Sequence, residues 1–531
     1  MDRDGRTPSL EATEELVPGE QQCDQDPTWI VVLDGYDPML ERVRETLLTI
    51  ADGHFGAQGS PLLHRGRARV LAAGLYDGCG PETHLLQCPL YSTVEADIEG
   101  EFAIRRTLDM RSATVEERVV AGGQRSVALD FASLPRPGVF AMRICGPCAY
   151  ATDTVPSEMS AATADDGGVI AAIGQRSVEA AAGVTMDRIA TYVTTSASPS
   201  DERPAVEGLE EAEREGFERL LVEHRAAWAA RWEEADVVIE GDPALQRDVR
   251  FALYHLMGSV ADSGEAAVGA RGLSGPAYRG HVFWDADVYV LPFLAATHPQ
   301  AARAMLEYRL RRLEPARARA RAQGRRGARF PWESARDGME VAPTRSRDRT
   351  GKVIPILTGE LEEHIVADVA WAAACYVDWS GDDAFRTGGG AQLVVETARY
   401  WASRVRFDAA GRAHIDGVIG PDEYHERVDD NAFTNVMARW NLRRAAALAS
   451  DVSRSPATRL RAGCTSPMPS STATTRRLAS TKSSQGSGIS SHWSSPGACA
   501  PVRSPAMCSS GTTGCSTPRS SSRPMCSCSI T

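Results

Sequence analysis

The chain has 531 residues, a formal net charge of -12 and 12 cysteines. It is long enough for two or three domains, and its acidic balance argues against a dedicated nucleic-acid binder, whose phosphate-reading surface pushes a domain to the basic side. The averages hide a seam: all 70 Asp and Glu lie before Val452, while the roughly 80 residues from there to Thr531 hold about 22 Ser, six of the 12 Cys and no Phe or Tyr.

Residues 1–27 are acidic and lack an apolar core, so they read as a disordered N-terminus, neither signal peptide nor membrane anchor. No run of 18 apolar residues follows, so no membrane partner is expected. The expected compartment is the cytoplasm, with reduced thiols. Cys145 and Cys148 (CGPC) therefore read as a turn with two unpaired thiols rather than a redox site, because the strand-to-helix setting of such a site is missing. Across 28–205, short apolar or alternating stretches (TWIVVLDG, VLAAGLYDG, THLLQCPLY, FAIRRTLDM, VFAMRICG, ATYVTTSA) alternate with Gly, Pro and Asp. That spacing predicts a large antiparallel β-sandwich. Residues 206–240 change to a helical period and predict a long linker helix. From 241 to 452 helix follows helix, which predicts an all-α domain, a bundle or toroid, and an α+β multidomain chain as a whole. The Arg-rich stretch from Arg309 to Arg329, interrupted by Pro315, reads as two solvated helix faces rather than a phosphate-binding patch.

Helical domains place chemistry in the loops that join helices. Three such segments combine aromatic and acidic residues. In YRGHVFWDADVYVLP, Trp284 precedes Asp285 and Asp287; a ring beside a fixed carboxylate suits a sugar, whose apolar face stacks while its hydroxyls donate. FPWESARDG pairs Trp332 with Glu333. In GVIGPDEYHERVDDNAFTN the Gly420–Pro421 turn presents Asp422, Glu423 and His425, and so many acids beside Tyr424 and Phe433 can raise one carboxyl toward the range that general-acid work requires. Taken singly, an acidic turn is more often a solvated loop or helix cap. His364 and Asp368 lie four apart on one helix face in EEHIVAD, but two ligands without a third do not make a metal site, and none is expected. No Walker loop, dinucleotide fingerprint or GxSxG elbow occurs.

Together these motifs resemble glycoside hydrolase family 65, the maltose, trehalose and kojibiose phosphorylases and related α-glucosidases. The similarity runs through RETLLTIADGHFGAQGS, LAAGLYDG, TLDMRSATVEERV, EHRAAWAARW, GLSGPAYRGHVFWDADVYVLP, FPWESARDG, GELEEHIVADVAWA and GPDEYHERVDDNAFTN, over about residues 29–452. The resemblance implies a β-super-sandwich, a helical linker, an (α/α)6 catalytic barrel and a C-terminal β-sheet domain. It implies an inverting cleavage of an α-glucosidic disaccharide with inorganic phosphate as co-substrate and no other cofactor, and it allows a homodimer. By the same resemblance Glu423 is the general acid, and Trp284 and Asp285 line the glucose subsite; Trp332, Glu333 and His425 are the further candidate sugar-binding residues. The phosphorylases need no catalytic base, whereas an inverting hydrolase activates water with a second carboxylate. One departure is Asp287, where the family commonly carries Glu.

The resemblance stops near residue 453, inside the expected barrel. A composition so rich in Ser, Arg, Pro, Cys and Thr suits a disordered linker, but a second reading is sharper. Taking each new codon from the third base of one codon and the first two of the next, codons can be chosen so that PAMCSSGTTGCSTPRSSSRPMCSCS (Pro505 to Ser529) reads GDVLLGHDRLQHAQVVKQADVLMLH, and Ser466 to Thr475 reads ADALVDGYDP. The recovered VVKQADVLML resembles the family 65 segment that carries a Lys and a Gln at the sugar site. Residues 453–531 are thus expected to be a frame-shifted, non-native tail behind a barrel truncated at its C-terminal side, and the product to be unstable and inactive.

Overall fold

The computed structural model describes residues 26–59, 69–88, 90–92, 102–146, 158–164, 167–180, 183–195, 201–262 and 267–454. The expected frame-shifted tail, apart from residues 453–454, and Cys148 of the CGPC turn lie outside the described residues.

The N-terminal half is two antiparallel sheets. Strands β1 (Ile30–Asp34), β6 (Phe102–Asp109), β7 (Thr114–Ala121), β8 (Gln124–Ala132), β9 (Val139–Gly146), β10 (Glu158–Ala164), β11 (Gly167–Ala180) and β12 (Gly183–Thr195) form one sheet in the order β1-β6-β7-β8-β9-β12-β11-β10. Strands β2 (Ile50–Ala51), β3 (Phe55–Ala57), β4 (Val70–Asp77) and β5 (His84–Cys88) form the other, and α1 (Glu41–Leu47) precedes it. Alternation explains the layering: in β7 (TVEERVVA) Val115 and Val119 are buried while Glu116 and Arg118 are only partly covered. Phe55, Val70 and Leu86 of the small sheet and Leu108, Phe140, Met142 and Ile173 of the large one share a single core. The β-sandwich expected from the sequence is therefore present, with β2, β3, β7, β8, β10 and β11 added between the stretches that stood out there.

Helix α2 (Arg203–Ala235) starts three residues before the expected linker and bends at Gly216, whose φ of +78° a side chain would resist. One helix serves two surfaces. Leu209 before the bend and Phe217 and Leu220 just after it lie on Phe131, Ile170 and Ile189 of the large sheet. The second half of the helix drives Trp228 and Trp232 into the sandwich core, where Trp232 meets Trp29 edge-on at 4.9 Å and Trp228 lies 5.2 Å from Tyr254. Tyr254 belongs to α3 (Pro243–Gly258), so this aromatic cluster also joins sandwich to helical domain.

His224 of α2 is fully buried, and burial pushes its imidazole down to about 4. Its Nδ1 accepts from the Leu134 N–H at 3.3 Å, and Nε2 donates to the Ala113 carbonyl at 3.2 Å, so only the neutral ring fits. The unfolded chain binds this proton near pH 6.5 and the folded chain does not, so stability present above 6.5 is lost as pH falls toward 4. Relative to His224→Gln, the wild type is expected to lose about 1.4 kcal/mol per pH unit over that window. Urea unfolding of both proteins at several pH values reads the difference and cancels other titrations, including that of Asp130, which burial pushes up to about 7. A pH-independent difference would refute the role assigned to His224.

The helical domain continues with α4 (Leu291–Thr297), α5 (Pro299–Arg311), α6 (Leu313–Ala322), α7 (Thr358–Leu361), α8 (Ile365–Ser380), α9 (Asp383–Thr387), α10 (Gly389–Arg404) and α11 (Ala432–Arg454). Leu294, Met305, Leu306, Tyr308, Ile365, Val369 and Leu393 form its core. The Arg-rich stretch departs from expectation twice. The chain breaks at Arg312, not at Pro315, which sits in the first turn of α6, where its missing N–H matters little. Several arginines are internal braces rather than a solvated face: Arg312 donates to the carbonyls of Tyr308, Ala335 and Arg336, Arg317 to Glu396, Arg319 to Glu340 and Arg329 to the Glu360 carbonyl. Among the described residues no helix is long and apolar enough to cross a membrane.

Candidate active site

The segment GELEEHIVAD, which reads as continuous helix, breaks at Glu362 and His364. Glu362 is extended and pairs with Ile419 in a parallel bridge, and the Ile419 N–H donates to the Leu361 carbonyl at 3.0 Å. This break turns a row of helix residues into the centre of the site. His364, at 0% exposure, places Nδ1 2.5 Å from Asp368 Oδ2 and Nε2 2.8 Å from Glu362 Oε1. The two residues that shared a helix face in the sequence thus bind each other, and Glu362 takes the second ring nitrogen. Burial pulls the imidazole down, but the hydrogen bonds to Asp368 and Glu362 outweigh it and push it up to about 9.

Trp284 and Asp285 lead into a π-helical turn, Ala286–Val290, that runs into α4. Trp284 meets the His364 ring edge-on at 5.0 Å. Partial burial raises the Asp285 carboxyl, and the His364 charge opposes that rise. Two residues on, Asp287 is fully engaged by Arg309 of α5, with Nη2 2.5 Å from Oδ2 and Nε 3.3 Å from Oδ1. Asp287 and Arg309 are both buried and form a structural pair.

Glu423 rides a loop closed at its base by reciprocal hydrogen bonds between Val418 and Val428. Gly420 is needed beneath it, because the Asn431 side chain lies where a Cβ would stand, 2.5 Å from Nδ2. Asn431 in turn caps α11, its Oδ1 accepting from the Thr434 N–H at 3.0 Å. The loop faces solvent, yet partial enclosure of the Glu423 carboxyl, reinforced by the negative charge of Asp285, raises it above its ordinary value while His364 opposes. His425 is exposed and paired with Asp422 at 3.1 Å on the same turn.

Trp332 is half-buried against Phe283, edge-on at 5.0 Å. Glu333 is buried and turned toward the sandwich: its Oε1 lies 2.6 Å from His281 Nδ1, and His281 Nε2 donates to the Thr83 carbonyl at 2.7 Å. Glu340, which did not stand out in the sequence, holds this loop by accepting from the backbone N–H groups of Trp332, Glu333 and Ala342. Backbone strain gathers at the same loops. Of five non-glycine residues with positive φ among those described, Tyr278, Arg279, Arg427 and Asp430 lie in or beside them. A cleft of about 600 Å³ adjoins Asp285, lined also by Phe251, His255, Ser259, Arg271 and Phe283. Among the described residues, one trio, His414, Asp416 and Asp430, has the spacing of metal ligands, but His414 binds Asp430 at 2.6 Å and Arg406 chelates Asp416.

The structure therefore gathers Trp284, Asp285 and Glu423 around the His364 ring, with Trp332 beside them, while Glu333 faces the domain junction and His425 the solvent. Residues 250–466 match the model of the glycosyl hydrolase family 65 central catalytic domain. Over this segment the chain is similar to the catalytic domain of glycoside hydrolase family 65. Among similar proteins, kojibiose phosphorylase of Caldanaerobacter subterraneus subsp. tengcongensis is 42% identical over 265 residues, 49% of this chain and 34% of that protein. Kojibiose hydrolase of Flavobacterium johnsoniae is 40% identical over 231 residues, 44% of this chain and 32% of that protein. The chain thus matches about a third of the length of these curated relatives. A solved structure from the human microbiome, whose name places it with the kojibiose phosphorylases, superposes with a TM-score of 0.71 at 17% identity, covering 85% of this chain and 69% of that one, and shows the shared fold.

Proposed function

We propose that this chain carries the sandwich and the acid-bearing part of an inverting glycoside phosphorylase, which cleaves an α-glucosidic disaccharide with inorganic phosphate and releases β-glucose 1-phosphate. The observation that carries the reading is the raised carboxyl of Glu423 on a loop anchored beside Trp284 and Asp285. In its protonated form Glu423 gives its proton to the leaving glycosidic oxygen while phosphate attacks the opposite face of the sugar. Trp284 stacks on the glucose ring and Asp285 accepts from its hydroxyls. Trp332 extends the aromatic wall, Glu333 holds that wall through His281, and His425 lies on the acid's own turn. In this reading the helical domain is part of an (α/α)6 barrel, whose remaining helices cover the exposed rings of Tyr289 and Tyr424.

Hydrolysis is the second reading, favoured by the similarity to a kojibiose hydrolase; it needs a second carboxylate to activate water. A third, an inactive carbohydrate-binding protein, predicts binding without turnover. Residues 453–531 are proposed to be read out of register. Sequencing the locus tests this, and an intact frame with no homologous alternative would sink it. With the register restored, incubation with kojibiose separates the readings. Phosphate-dependent release of β-glucose 1-phosphate supports the phosphorylase. Phosphate-independent glucose release supports the hydrolase, and calorimetric binding alone supports the third.

A further inference from the structure

His364 is fully enclosed in the site, and the proposed phosphorolysis gives it no chemical step; its role here rests on that assignment of the site. With carboxylate oxygens 2.5 Å and 2.8 Å from its two ring nitrogens, the ring is placed to donate from both and so to carry a positive charge. Two aromatic rings meet it edge-on from opposite parts of the chain. Trp284, at 5.0 Å and 87°, immediately precedes Asp285. Phe433, at 5.2 Å and 88°, lies in the first turn of α11 beside Asn431, whose side chain covers Gly420 at the base of the Glu423 loop. The backbone of the same segment, through Leu361 and Glu362, binds Ile419 at that base.

We propose that His364 is the positioning residue of the site: clamped between Glu362 and Asp368, its ring fixes Trp284 on one side and Phe433 on the other, and it is the positive charge that Asp285 and Glu423 share. An aromatic residue in its place keeps edge contacts but loses both hydrogen bonds; an amide keeps one hydrogen bond and loses the ring and the charge. The charged groups around it are Glu362 and Asp368 from its own segment, Asp285 and Asp287 from the Trp284 segment, Arg309 from α5 and Glu423 from the loop. Asp285 pushes the Glu423 carboxyl up and His364 pulls it down, so the pair of neighbours tunes the acid.

The test uses the full chain labelled with 15N in histidine and 13C at the glutamate carboxyl, with His364→Gln and Glu423→Gln supplying the assignments. Two results are expected: His364 doubly protonated at pH 7, and a Glu423 carboxyl titration that moves up by roughly half a pH unit or more in His364→Gln, because a nearby positive charge is gone. A singly protonated His364 at pH 7 overturns the proposal, as does an unmoved Glu423 titration in a variant that melts like the wild type. Where His364→Gln does not fold, Glu362→Gln replaces it. Losing one carboxylate acceptor must then lower the His364 titration midpoint, and an unchanged midpoint overturns the proposal. These readouts need no turnover. A register-restored protein that shows them but releases no sugar refutes the proposed function and leaves the positioning role standing.

Discussion

Glu423→Gln in the register-restored chain is expected to lower kcat by about 10²–10⁴-fold while leaving sugar affinity within a few-fold of the wild type, because the amide keeps the shape of the side chain and loses only the proton. The pH profile sharpens the test. A general acid acts only while protonated, and Glu423 is held above its ordinary value by enclosure and by Asp285. Activity should therefore fall as pH rises through the Glu423 titration, and that alkaline limb should vanish from the residual activity of the variant. Steady-state kinetics with kojibiose across pH, with calorimetry for affinity, provides both readouts. Near-normal turnover in Glu423→Gln would remove the residue from the mechanism.

The second large effect concerns stability. Arg309 and Asp287 are 1% and 2% exposed, and Arg309 also donates to the Phe283 carbonyl at 3.3 Å. Its charge further supports Asp368, which is fully buried behind His364. Arg309→Met keeps the aliphatic bulk and strands Asp287 away from water, and breaking a buried pair from one side costs about 3–5 kcal/mol. Adding Asp287→Leu removes the stranded charge and should recover part of the loss, but not all of it, because Asp368 keeps its His364 partner yet loses the further support of the Arg309 charge. Urea unfolding of the two variants measures both. A single-variant loss below about 1 kcal/mol would contradict a dry, paired environment for Arg309.

The difference between Asp287 and Asp285 shows where sequence reading reaches its limit. Both acids follow Trp284 within three positions, and residue type alone makes them equivalent candidates. Only the approach of α5 brings Arg309 onto Asp287 and leaves Asp285 to the cleft. The Arg-rich stretch failed for the same reason. Its alternation with alanine looks solvated, yet the carbonyls of Ala335, Arg336 and Glu360 come from segments beyond the stretch, and guanidinium groups satisfy them. Glu340 gave no local signal, because most of its partners are the Arg319 side chain and backbone N–H groups seven and eight residues earlier.

By itself the sequence determined what depends on short range: alternation that made a sandwich, a helical period that made the linker and the following domain, and aromatic-acid motifs specific enough to mark the family. It also marked Glu423, Trp284 and Asp285 as candidates, since each is carried within a few residues of its own motif. Tertiary structure alone decided what each charge faces. His364 and Asp368 were legible as an i, i+4 pair, but not as partners in a clamp. That arrangement exists because the chain leaves the helix at Glu362, pairs with Ile419 and closes a second carboxylate onto the same imidazole. In a water-poor interior, the sign and distance of the nearest charge set the chemistry of a side chain, and such neighbours are chosen by packing across the whole fold.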